Sequence, residues 1–144
     1  MKIFLLLIIT VLFILRVKGT PRMLSRKMYM KKIGDSIGKN EDTFKKFSEN
    51  EIKLLKEISL VFVAILQVLL AIVYITIGSK VNVLYFTILT LLQLLTIIYT
   101  SVAQLNMKAF SANLEDHKFH RWYFLFNVIL DYIYYPLAFY LLIK

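Results

Sequence analysis

No cysteine occurs among the 144 residues, which excludes disulfides, thiol nucleophiles and thiolate metal sites. Proline occurs twice and glycine four times, so each of these backbone-shaping positions is informative. Histidine also occurs only twice, at His117 and His120. No phosphate-binding loop, nucleophile motif or pair of carboxylates is present. Ser, His and Asp occur, but their expected depths keep them apart. An enzyme is therefore not expected, and neither a catalytic residue, a metal nor a cofactor is assigned.

What is abundant is apolar. Hydrophobic residues make up 59% of the chain, above the roughly 45–50% of soluble proteins. Three segments are long enough for about 30 Å of hydrocarbon: Ile58 to Gly78, Val81 to Leu105 and Trp122 to Ile143. None contains Lys, Arg or His, and only the last holds an acid. A shorter apolar run, Ile3 to Leu15, suits either a signal-peptide core or a span from Met1 to Val17. Arg16, Lys18, Arg22, Arg26 and Lys27 follow it closely, and such charges resist translocation. The span is the expectation, with its terminal cations reaching to the interfaces.

The expected fold is thus an all-α integral membrane protein, one domain over residues 1–144. Its spans are about 1–17, 58–78, 81–105 and 122–143, with a basic cytoplasmic linker over 18–57. The first span is short.

A net charge of +9 raises the question of nucleic acid. The distribution answers it, because twelve of the eighteen basic residues fall between Arg16 and Lys56, beside apolar runs. A cytoplasmic membrane-flanking loop has that pattern, and no nucleic-acid motif accompanies it. Putting residues 16–57 and 106–121 inside leaves only Lys2, Lys80 and Lys144 outside. Both termini then face outward, in a cell (plasma) membrane. Gly78-Ser79-Lys80 centres a short turn that makes the second and third spans an antiparallel hairpin. Phe119, Trp122, Tyr123 and Phe124 mark the inner interface, and Tyr74, Tyr85 and Tyr140 the outer one.

The linker is not plain coil. Met23, Met30, Ile33 and Ile37 share one side of a helical wheel, with Lys27, Lys31, Lys32 and Asp35 elsewhere. That pattern predicts an amphipathic helix on anionic lipid, or one docked on a partner protein. Gly34 and Gly38 weaken it. Ser48 and Glu51 have capping-box spacing, which predicts a helix starting near Glu49.

Each long span carries a polar stripe at helical spacing. On the second it is Ala64, Gln67, Ala71, Tyr74 and Gly78. The third has Thr90, Gln93, Thr96 or Ile97, Thr100 and Gln104. On the fourth, Asn127, Asp131, Tyr134 or Tyr135, and Ala138 share a face. Counting along the spans places Gln67, Gln93 and Asp131 near one depth, at the midplane. Glutamine there is usually glue between helices.

Asp131 is the outlier, since an aspartate at a helix centre costs about 2.5–3.5 kcal/mol on insertion scales. With no cation inside a long span, a neutral acid hydrogen-bonded to Gln or Tyr is expected. Pro136 removes one amide donor and frees the carbonyl of Tyr132, with a kink expected just beyond Asp131. Glu115-Asp116-His117-Lys118-Phe119-His120 reads as a solvated interfacial turn, because a metal would need a further ligand.

The expected function is that of a non-enzymatic accessory or regulatory subunit bound to another membrane protein or to itself. One alternative is a small transporter or channel subunit using Asp131 as its proton- or cation-responsive group. Another is a holin-like pore former.

Overall fold

The computed structural model describes residues 2–105 and 119–144, with side chains described except at 40–44 and 104–105. All secondary structure among them is helical: α1 (Lys2–Leu24), α2 (Arg26–Phe44), α3 (Glu49–Val81), α4 (Leu84–Leu105) and α5 (Arg121–Ile143). Four of the five, all but α2, are long and apolar enough to cross a membrane.

The helices differ from the expected spans in instructive ways. Helix α1 runs on past Val17, through Gly19 and Pro21, to Leu24. Pro21 withholds an amide from the carbonyl of Val17, yet the helix ends only at Ser25, whose Oγ accepts from the Met28 amide at 3.4 Å. Met23 therefore belongs to α1 and not to the amphipathic helix. Helix α2 continues through Gly34 and Gly38. Helix α3 fuses the capped linker segment with the second span into 33 residues. At about 1.5 Å per residue it is near 50 Å long, so its charged first turns extend beyond a 30 Å hydrocarbon layer.

The turn between α3 and α4 is also displaced. Gly78, Ser79 and Lys80 are still helical, and the reversal comes at Asn82, in the left-handed region at φ 44° and ψ 44°. Asparagine tolerates that conformation better than most residues, and its amide closes the helix onto Gly78 O at 3.1 Å. Gly78 serves close approach instead. A Cβ there would meet Thr90 Cγ2 at 3.0 Å and Oγ1 at 3.1 Å, so only hydrogen lets α3 and α4 come this near.

Helix α5 is the centre of the bundle. It packs on α1, α4 and α3, and 44% of its apolar window is buried against 11% for α1 and for α3. Cross-contacts give the directions. Arg16 and then Phe13, one turn earlier in α1, meet α5 at Asp131 and then Tyr135, one turn later, so α1 and α5 are antiparallel. Thr100, Gln93 and Phe86 meet it at Tyr123, Asp131 and Tyr134, so α4 is antiparallel to it as well. The result is an up-down bundle with Lys2 and Lys144 on the same side as the α3–α4 turn.

The core sits toward that side. Leu5, Ile9, Tyr74, Ile77, Phe86, Tyr134, Tyr135, Ala138 and Leu142 form one buried cluster. Tyr74 is within it, 2% exposed, rather than at an interface. Tyr85, Tyr140 and Trp122 are exposed. Toward the linker side the bundle loosens. Helices α3 and α4 there leave a groove of about 320 Å³, lined by residues that include Ala64, Gln67, Ala71, Ile97 and Ser101.

Candidate functional site

Asp131 lies ten residues into α5, close to its middle, and is 1% exposed. Its helical register aims it at the seam between α1 and α4. Oδ1 accepts from Gln93 Nε2 at 2.8 Å. Oδ2 faces Arg16 Nε of α1 as an ion-pair contact rather than an aligned hydrogen bond. The Arg16 side chain is 30% exposed and its Nη1 also reaches Met23 Sδ at 3.2 Å. One carboxylate thus ties three helices.

This corrects the expectation of a carboxyl with no cation at hand. The long spans indeed hold none, but the first span supplies one. Arg16 was expected to reach for the interface from a helix ending at Val17. Because α1 continues to Leu24, Arg16 is instead at the depth of Asp131. An arginine and an aspartate in apolar sequence are each costly at this depth, and together they compensate.

The expected midplane trio divides. Gln93 joins Asp131, whereas Gln67 accepts from Ser101 Oγ. Ser101 lies eight residues beyond Gln93, about 12 Å along α4, so Gln67 is nearer the linker side than counting predicts. Helix α3 is long, and its helical start at Glu49 gave no marker of where the apolar span sits in depth.

Tyr134 and Tyr135 are both buried but differ in role. Tyr135 Oη pairs with Tyr74 Oη at 2.6 Å. Tyr134 stacks on Phe86 with ring centroids 4.9 Å apart. Its hydroxyl makes no hydrogen bond among the described residues. It sits beside Thr90, off hydrogen-bond geometry, and the Thr90 hydroxyl donates to Phe86 O at 2.9 Å. Asn127 is buried on the same helix. Helix α5 runs unbroken through Pro136 to Ile143. Tyr132, whose carbonyl Pro136 was expected to free, places its hydroxyl 3.3 Å from Thr20 Oγ1.

The linker surface takes a different form from the expected one. Tyr29, Met30, Ile33 and Ile37 are half-buried, and the Tyr29 ring lies against Phe119 and Phe124 at 5.4 and 5.2 Å. Burial pushes the Tyr29 phenol above its usual range. The apolar side of α2 is thus turned to the foot of α5. Its other side exposes Lys27, Lys31 and Lys32, and two of these join Arg22 and Lys39 around a cleft. Arg22 was named from sequence only among the charges that resist translocation, and Lys39 was not named, although it falls at i+8 from Lys31 and so on the same side of the helix.

Glu115, Asp116, His117 and Lys118 lie outside the described residues. His120 directly precedes α5 as its cap residue. Among the described residues no group of His, Asp and Glu is gathered to hold a metal. No family model matches the sequence, and no curated protein or solved structure matches it either, so the chain's own residues are the guide to its function.

Proposed function

We propose that this chain is a non-enzymatic multi-pass membrane protein of the accessory or regulatory class, with both termini outside, acting by binding another membrane component or a second copy of itself. The observation that carries the reading is that both oxygens of Asp131 are engaged from within the chain, by Arg16 and Gln93. A carboxylate committed this way pins α1, α4 and α5 together and makes a scaffold. A ligand-coordinating acid would keep an oxygen open. The exposed apolar flanks of α3, such as Val61, Ile65 and Val68, are what such a scaffold offers in the bilayer plane.

The test is purification in mild detergent after crosslinking in the membrane. A defined homo-oligomer or a crosslinked membrane partner is expected. A clean monomer with no partner would overturn the reading.

A second reading, a proton- or cation-responsive transport subunit, is favoured by the partial exposure of Arg16, which leaves the ion pair at the edge of the bundle. Its test is Asp131→Asn in reconstituted vesicles. Loss of pH-driven flux with normal assembly supports it, and unchanged flux sinks it.

A further inference from the structure

Lys18 lies two residues past Arg16 on α1, about 200° round the helix from it. Arg16 turns inward to Asp131, whereas Lys18 turns outward and is exposed. Among the described residues Lys18 makes no ion pair or hydrogen bond. The antiparallel register set by Arg16 and Asp131 puts Lys18 level with Ile129 of α5, itself exposed. That level is about 12 Å along α5 from its first residue, Arg121. Helix α5 lies between the charges of Arg121 and Lys144, with only Asp131 charged inside it. Its 23 residues, about 34 Å long, therefore just cross the hydrocarbon. Lys18 is thus an exposed cation close to the middle of the apolar layer.

A lysine near a helix end can bend to the headgroups, but the geometry of α1 works against that here. Each Cα–Cβ bond leans toward the N-terminus of its helix. On α1 that is the Lys2 end, and the headgroups nearer to Lys18 lie beyond Leu24, at the other end. The stem starts in the wrong direction. Arg22, one turn on, is about 6 Å nearer those headgroups and meets them more readily. Arg16 shows how this fold treats a cation at such depth, by giving it a carboxylate. The chain has no second one to give. Asp131 is the sole acid within the four apolar runs, and both its oxygens are engaged.

The surface leading to Lys18 has the form of a helix contact. Phe4, Leu7, Val11 and Ile14 approach it at spacings of three and four, and all are exposed. Helix α1 packs chiefly on α5 and α2, which leaves this stripe uncovered. We infer that the stripe docks one transmembrane helix of a different membrane protein, whose Asp or Glu meets Lys18 near the middle of the bilayer. Opposite charges inside a membrane pair with one another, and a second copy of this chain has no free intramembrane carboxylate to offer. The inference rests on the accessory reading above and selects the kind of partner.

The test reconstitutes the full chain in phosphatidylcholine vesicles with a leucine–alanine transmembrane peptide of about 20 residues. The peptide bears one Asp at its centre, a position that serves either direction of insertion. Energy transfer from a donor on Ser79→Cys to an acceptor on the peptide reads association. The Asp peptide is expected to bind about tenfold tighter than its Leu counterpart, which corresponds to about 1.4 kcal/mol. Lys18→Leu should abolish that preference and Lys18→Arg should retain it. Lys80→Leu removes a charge beside the α3–α4 turn and should leave it unchanged. Unchanged circular dichroism verifies the fold of each variant. Equal binding of the two peptides would overturn the proposal and return Lys18 to the headgroups. A preference that survives Lys18→Leu would also overturn it, since the peptide would then be drawn to another cation such as Arg16. Association between two copies of the chain that is lost in Lys18→Leu would overturn it in favour of a homodimer. Failure here with a crosslinked partner retained would leave the accessory reading standing.

Discussion

Arg16 of α1 and Asp131 of α5 form an ion pair inside the apolar body of the bundle, with Gln93 of α4 on the second carboxylate oxygen. The pair joins the first described helix to the last, so the two ends of the sequence depend on each other. It also gives the first span a structural task that its apolar composition alone does not disclose.

Breaking one side of that pair is expected to cost more than removing both. Arg16→Met strands a buried carboxylate and should destabilise by about 3–5 kcal/mol. Adding Asp131→Leu to it should restore most of the loss, because two apolar side chains need no partner there. Reversible unfolding by dodecyl sulfate in mixed micelles measures both. Additive losses would show that the two residues are not coupled.

The Tyr74 and Tyr135 hydroxyls, 2.6 Å apart, follow the same logic with neutral groups. Tyr135→Phe leaves the buried Tyr74 hydroxyl without this partner and should cost about 1–3 kcal/mol. The double variant with Tyr74→Phe should be nearly neutral. The same unfolding assay applies, and a double variant worse than either single one would refute the pairing.

Gly78 and Thr90 set the spacing of α3 and α4. Alanine at 78 gains about 1 kcal/mol of helix propensity, but its methyl group enters Thr90 at 3.0 Å. Overpacking of this kind costs about 1–3 kcal/mol, so Gly78→Ala should be neutral to destabilising. In a Thr90→Ala background the same change should stabilise. A double-mutant cycle with no coupling would mean that the helices separate freely at this point.

Glu51 caps α3, its carboxylate accepting from the Ser48 amide and hydroxyl, each at 2.8 Å. Those bonds, the amide first, hold its pKa below the ordinary 4.5. A depressed folded-state value means that the cap stabilises above pH 4.5 and is lost as pH falls through the lower folded value. Carboxyl carbon shifts of Glu51 should therefore titrate below 4.5, and the protection of the Ser48 amide, taken relative to intrinsic exchange at each pH, should fall over the same interval. A midpoint at or above 4.5 would contradict the bonds.

The absence of cysteine makes topology simple to measure, since any introduced thiol is unique. Ser79→Cys should react with an impermeant maleimide applied outside intact cells, and Ser36→Cys only after permeabilisation. The reverse pattern would invert the proposed orientation.

Much of the architecture was legible in the residues. Apolar runs of membrane-crossing length define three of the four long helices, and the shorter Ile3–Leu15 run defines the fourth, because a segment in hydrocarbon must satisfy its own backbone, and a helix does so locally. The face of α5 that carries Asn127, Asp131 and Ala138 followed from spacing, since side-chain direction is fixed by the helical period, whereas spacing left the choice between Tyr134 and Tyr135 open and the structure buries both. Ser48 and Glu51 marked the start of α3 for the same local reason.

Depth and partnership were decided elsewhere. Where Arg16 and Gln67 sit depends on how far α1 extends and how α3 slides against α4, and neither is encoded within a single turn of helix. Gly78 looked like a turn and is a contact, because Thr90 is opposite it. The two sides of α2 were readable as apolar and basic, but only the rings of Phe119 and Phe124 determine which one turns inward. Local periodicity fixes what a residue can face; long-range packing chooses what it meets, and for Asp131 that choice was an arginine from the far end of the sequence.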